Sequence, residues 1–119
     1  MSAPAPPHEI AVRVYYEDTD LAGVVYHANY LKFMERARSE LLRAHGVDQR
    51  RLEAEEGLVF VVGRLEIDYR APARFDDLLT VATEPAGLRR ASATLAQTVR
   101  RGETVLAEAR VTIACIDRA

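Results

Sequence analysis

Residues 12–46 read VRVYYEDTDLAGVVYHANYLKFMERARSELLRAHG, and within them the hydrophobic period changes from two to between three and four. The alternation in Val12-Arg13-Val14-Tyr15 predicts a strand from about Glu9 to Tyr16. Further on, Tyr30, Phe33, Met34, Ala37, Leu41 and Ala44 recur at three- and four-residue steps, while Lys32, Glu35, Arg36 and Arg43 fall outside that stripe. This is a long amphipathic helix starting near Ala28, with Gly46 suited to the position just past its end. The loop between the two elements holds Asp18, Thr19, Asp20 and Gly23.

Working outward, Asp48 can cap a second, shorter helix that Gly57 terminates. After Gly57 the period returns to two. Leu65, Ile67 and Tyr69 point one way, and Arg64, Glu66, Asp68 and Arg70 the other, as in a half-buried antiparallel strand. Further strands are predicted from about Leu78 to Glu84 and from about Ala91 to Arg100, with Arg101-Gly102 as a hairpin turn. In the last run Val105, Ala107, Ala109, Val111, Ile113 and Cys115 share one face, opposite Glu108, Arg110 and Thr112. Strand, long helix, short helix and four strands fit an α+β architecture, a five-stranded antiparallel sheet with its apolar face on one long helix. The small Ala107 and Ala109 would let that helix approach the last strand. An open sheet leaves an edge, so at least a dimer is expected.

A chain of 119 residues holds one domain, expected over 8–119 behind an extended flexible tail at 1–7. The formal charge is −2, and acidic residues are scattered among the arginines, so no basic stripe suggests a nucleic-acid partner. Cys115 is the only cysteine, which excludes an internal disulfide. The start lacks the charged and apolar regions of a secretory signal, and no apolar run is long enough for a transmembrane segment. A cytoplasmic protein is expected.

Taken alone, Asp20 reads as a turn carboxylate bound to its own backbone. Asp18-x-Asp20-x-x-Gly23 resembles the opening of a calcium loop, but Ala22 and Asn29 stand where that loop needs oxygen-rich ligands. His8 and His45 lack metal-ligand spacing with His27, so neither a metal nor another cofactor is expected. Ser39 and Ser92 lack the elbow of serine hydrolases, and Cys115 lies on an apolar face as a core residue would.

The stretch from Tyr15 to Arg38, YYEDTDLAGVVYHANYLKFMERAR, closely resembles the signature of the 4-hydroxybenzoyl-CoA thioesterase family. Within it, the stretch resembles the YbgC-type branch associated with the Tol-Pal system. The resemblance implies a hotdog fold, hydrolysis of acyl-CoA, and Asp20 as catalytic carboxylate, either nucleophile or general base on water. It also implies that a main-chain N–H at or next to His27 polarises the thioester carbonyl, since a helix start leaves N–H groups unpaired at the positive end of its dipole. Histidine at position 27 goes with the YbgC-type branch and short-chain aliphatic substrates; its ring could assist catalysis or simply hold the helix entrance. The Arg89-Arg90-Ala91-Ser92 connection is where the family holds the CoA phosphates, and arginine forks with the Ser92 hydroxyl suit phosphate oxygens. A solvated basic turn is the plainer reading of that cluster. The family works as homodimers or homotetramers. An acyl carrier protein thioester is the alternative substrate, and a non-catalytic acyl-CoA binding module the alternative function.

Overall fold

The computed structural model describes residues 6–118. Most of the expected tail, residues 1–5, lies outside the described residues. Strand β1 (His8–Arg13) leads through a 3₁₀ turn at Tyr16–Asp18 to helix α1 (Asn29–Ala44). The expected strand to Tyr16 stops short for a local reason. The Asp18 carboxylate accepts the Tyr15 N–H at 2.8 Å and curls the chain into the turn.

Helix α1 buries Tyr30, Phe33, Met34 and Ala37, the first half of its predicted stripe. Leu41 is only half-buried and Ala44 is exposed, so the second half overhangs the sheet. The helix ends on Gly46 at φ +80°, with the Gly46 N–H on the Arg43 carbonyl and the Val47 N–H on the Leu42 carbonyl. That paired closure needs the left-handed conformation glycine adopts freely. Asp48 then caps α2 (Gln49–Arg51) by accepting from the Arg50 and Arg51 N–H groups, and wider turns over Leu52–Glu56 reach Gly57.

Four long strands follow: β2 (Leu58–Tyr69), β3 (Leu78–Leu88), β4 (Ser92–Arg101) and β5 (Thr104–Asp117). All pairings are antiparallel and the order is β1-β3-β4-β5-β2. The β4–β5 turn falls at Gly102, as expected. A bulge at Gly63 interrupts β2, where Val62 pairs with Ile113 but Arg64 pairs with Thr112.

Helix α1 packs mainly over β3, β1 and β4. The expected close approach to β5 is therefore displaced by about a strand, although Ala107 and Ala109 are buried. Ala109 stands directly across from Gln97 of β4. This glutamine is 1% exposed and ties strand to helix: its Nε2 donates to the Met34 carbonyl (3.0 Å) and to Thr83 Oγ1 (2.9 Å), and its Oε1 accepts from Arg38 (3.0 Å).

With the helix over one side of the sheet, β2 is the uncovered edge. The strand predicted to be half-buried is mostly exposed: Val61, Val62, Leu65 and Tyr69 are 36–51% accessible. Cys115, across from Phe60 of β2, is half-buried for the same reason. The domain is thin for its breadth, 44 × 40 × 23 Å. Among the described residues no helix is long and apolar enough to cross a membrane.

Candidate active site

The loop between β1 and α1 is a small hairpin. The Tyr26 N–H donates to the Asp18 carbonyl, Thr19 and Val25 form a bridge, and the Asp20 N–H donates to the Val24 carbonyl. Gly23, at φ +79°, turns the tip. Asp20 is exposed at the rung nearest that tip, and its Oδ1 accepts the Ala22 N–H at 2.9 Å. The turn role of an aspartate is thus present, with the residue open to solvent.

The segment 71–77 braces this hairpin. The Val25 N–H donates to the Ala73 carbonyl at 2.8 Å, Val24 bridges Arg74, and the Ala73 N–H donates to Tyr30 Oη at 3.0 Å. Asp77 pins the segment by accepting from the Arg74 N–H and from Arg101 Nη1, both at 2.8 Å. Burial works to raise the Asp77 pKa, but the Arg74 N–H and the Arg101 guanidinium outweigh it and hold the carboxyl below its ordinary range. Burial raises the Tyr30 pKa, the Ala73 N–H opposing, so its hydroxyl is neutral at physiological pH.

The head of α1 is tightly wound. The N–H groups of Asn29, Tyr30 and Leu31 turn back onto the carbonyls of Tyr26, His27 and Ala28. The N–H groups of His27 and Ala28 have no main-chain partner among the described residues and stand at the positive end of the helix. The Asn29 side chain anchors the hairpin to the helix by donating to the Asp18 carbonyl at 2.9 Å. Tyr69, the last residue of β2, donates its hydroxyl to the His27 carbonyl at 2.8 Å. Its ring meets those of His27 and Tyr30 edge-on, with centroids 6.1 and 5.4 Å apart. A cleft of about 290 Å³ opens here, lined by Val25, His27, Tyr30, Tyr69 and the Arg70–Pro72 turn.

Of the residues singled out from the sequence, Asp20 and His27 lie on the same hairpin-and-helix unit, although no hydrogen bond joins their side chains among the described residues. Arg89, Arg90 and Ser92 lie elsewhere, at the β3–β4 turn closed by the Arg89 N–H on the Ser92 carbonyl. Ser92 is in register with Ala114 and Tyr69 with Ala107. At about 3.3 Å per residue, the turn stands roughly 23 Å along the sheet from the helix head. Sequence reasoning missed Tyr30 and Tyr69 as more than apolar-face residues. For Tyr30 the available signal was chemical, since a buried tyrosine needs a partner for its hydroxyl, whereas half-exposed Tyr69 offered none.

A helix seated on a single antiparallel five-stranded sheet defines the hotdog class of domains. The sequence model of the thioesterase superfamily matches residues 22–108. The acyl-CoA thioester hydrolase YbgC of Escherichia coli is 50% identical over 107 residues, 89% of this chain and 79% of that protein. The acyl-CoA thioesterase YbgC of Haemophilus influenzae is 50% identical over 106 residues, covering 89% and 78%. Among solved structures, a probable thioesterase from Bartonella henselae superimposes with a TM-score of 0.89 at 43% identity, covering 93% of this chain and 92% of that one. The chain belongs to the thioesterase superfamily, in its YbgC-type branch.

Proposed function

We propose that the chain hydrolyses the thioester of short-chain acyl-CoA to the free acid and CoA, with Asp20 as the catalytic carboxylate. The observation that carries the reading is the helix head: two N–H groups without main-chain partners, beside a cleft and on the hairpin that bears Asp20. Bound there, the thioester carbonyl accepts from a main-chain N–H at or next to His27, which stabilises the oxyanion as the carbonyl carbon becomes tetrahedral. As general base, Asp20 takes a proton from water as the water oxygen bonds to that carbon; collapse breaks the C–S bond, and the departing thiolate is protonated. As nucleophile, the carboxylate itself displaces the thiolate, and water then hydrolyses the mixed anhydride. Either route consumes one water and releases acid and thiol. The His27 ring, at the cleft wall, assists the departing group.

The exposed β2 edge supports a homodimer built by pairing β2 with β2 of a second copy. Antiparallel pairing reverses direction, so the second copy's β3–β4 turn comes alongside the first copy's helix head. Arg89, Arg90 and Ser92 would then hold the CoA phosphates of a substrate whose thioester lies at the other subunit.

The test is hydrolysis of acyl-CoA esters of graded length, read with a thiol reagent, alongside acyl carrier protein thioesters and the Asp20→Asn variant. Short-chain acyl-CoA turnover that Asp20→Asn lowers roughly a hundred- to ten-thousandfold is expected. Turnover of the variant within a few-fold of the unmodified enzyme would sink the role of Asp20. Preference for the carrier-protein ester would replace the substrate.

A further inference from the structure

We propose that Tyr69 is a positioning residue for this hydrolysis: its hydroxyl fixes the His27 carbonyl and thereby aims the unpaired N–H groups at the helix head. The inference rests on the reading of that helix head as the oxyanion site. The His27 carbonyl and the Ala28 N–H belong to one planar peptide, so a bond to the oxygen sets the direction of the N–H. It restrains the preceding His27 N–H through the same residue. Two donors reach this oxygen, the Tyr69 hydroxyl at 2.8 Å and the Tyr30 N–H at 3.4 Å. The shorter bond is the firmer restraint.

The hydroxyl is not there to fill space or to rescue a buried group. Phenylalanine would make the same edge contacts with Tyr30 and His27. In a single copy Tyr69 is 45% exposed at the end of the edge strand, where water can reach the His27 carbonyl in its place. The bond therefore adds little to folding stability. Its particular effect is angular: a water follows the carbonyl wherever it points, whereas a phenol fixed at the end of β2 and flanked by two rings does not. Accepting this bond also polarises the peptide and strengthens its N–H as a donor. Both effects act on the developing oxyanion more than on the bound ester, so they belong in the chemical step.

The experiment compares the intact enzyme with Tyr69→Phe in steady-state hydrolysis of its best acyl-CoA substrate, with thermal melting and sedimentation run in parallel and Asp20→Asn as reference. Tyr69→Phe is expected to lower kcat about two- to twelvefold, the effect of one oriented hydrogen bond. KM should stay within about twofold, and melting temperature and assembly should be nearly unchanged. If the variant loosens the assembly, rates are read at concentrations where it is fully assembled. An unchanged kcat in Tyr69→Phe, or a loss wholly in KM, overturns the positioning role while Asp20→Asn remains inactive. An active Asp20→Asn variant instead overturns the reading of the site.

Discussion

Replacing Gln97 by leucine tests whether the polar link between sheet and helix stabilises the molecule. Leucine removes three hydrogen bonds: two donated by Gln97, to the Met34 carbonyl and Thr83, and one accepted from Arg38. These losses differ in cost. The Met34 carbonyl keeps its place in the ladder of α1, and half-buried Arg38 can turn to water, so each contributes about 0.5–1 kcal/mol. Thr83 is 1% exposed, and its stranded hydroxyl costs about 1–3 kcal/mol. Against this, burying a leucine in place of the amide returns about 1–2 kcal/mol. A net loss of about 2 kcal/mol remains, which for a domain of this size lowers the melting temperature by about 5–10 °C. The assay is thermal denaturation at fixed protein concentration, with Thr83→Val added to Gln97→Leu as a second step. The added change should recover about 1 kcal/mol by removing the orphaned hydroxyl. An unchanged or raised melting temperature in Gln97→Leu would refute the claim that the network stabilises the fold.

The Arg89→Ala, Arg90→Ala double variant should raise KM for CoA esters while sparing a truncated thioester without the nucleotide, because phosphate contacts remote from the carbonyl contribute uniform binding; equal losses on both substrates count against a nucleotide site. Leu65→Glu, on the apolar face of the open edge, should lower the dimer fraction in sedimentation and specific activity in step, and a fully active monomer would show that neither the edge nor the partner matters. The folded Asp77 carboxyl sits below its unfolded value, so its contribution is present above about pH 4 and lost as pH falls toward the folded value. Asp77→Asn should therefore lower stability at neutral pH and flatten the acid limb of a stability–pH curve; parallel curves for the two proteins would remove Asp77 from that limb.

Most of the fold was legible because it is written in local periods. Tyr30, Phe33, Met34 and Ala37 recur at helical spacing and are all buried, and the glycines at 46, 57 and 102 stand where the chain needs positive φ. Which strand becomes the edge is not a local property. The pattern in Leu65, Ile67 and Tyr69 is what a covered strand would also show, and only the sheet order β1-β3-β4-β5-β2 reveals that the helix stops short of it. The same limit applies at the candidate site. Asp20 and His27 stand out in one short stretch that can be read as a unit, whereas the Tyr69 bond to His27 spans 42 positions and has no signature in either neighbourhood.

The bulge at Gly63 makes the edge strand one residue longer than its partner β5 matches. Up to Val62 the helix-side residues are the even-numbered Phe60 and Val62; beyond the bulge they are the odd-numbered Leu65, Ile67 and Tyr69, matched to Val111, Ala109 and Ala107. Gly63 is the phase slip between two half-strands whose hydrophobic codes are out of step. Deleting this one residue would leave Val62 across from Ile113, Arg64 across from Thr112 and Leu65 across from Val111, a regular ladder in which Arg64, Glu66 and Asp68 still face away from the apolar side. Tyr69 would stay across from Ala107, on the side of the helix head. Alanine at the same place has room, with the Thr112 carbonyl oxygen 3.8 Å from the added Cβ. Gly63 is thus the surplus residue of the strand, which bends and twists the edge without setting which face its neighbours take.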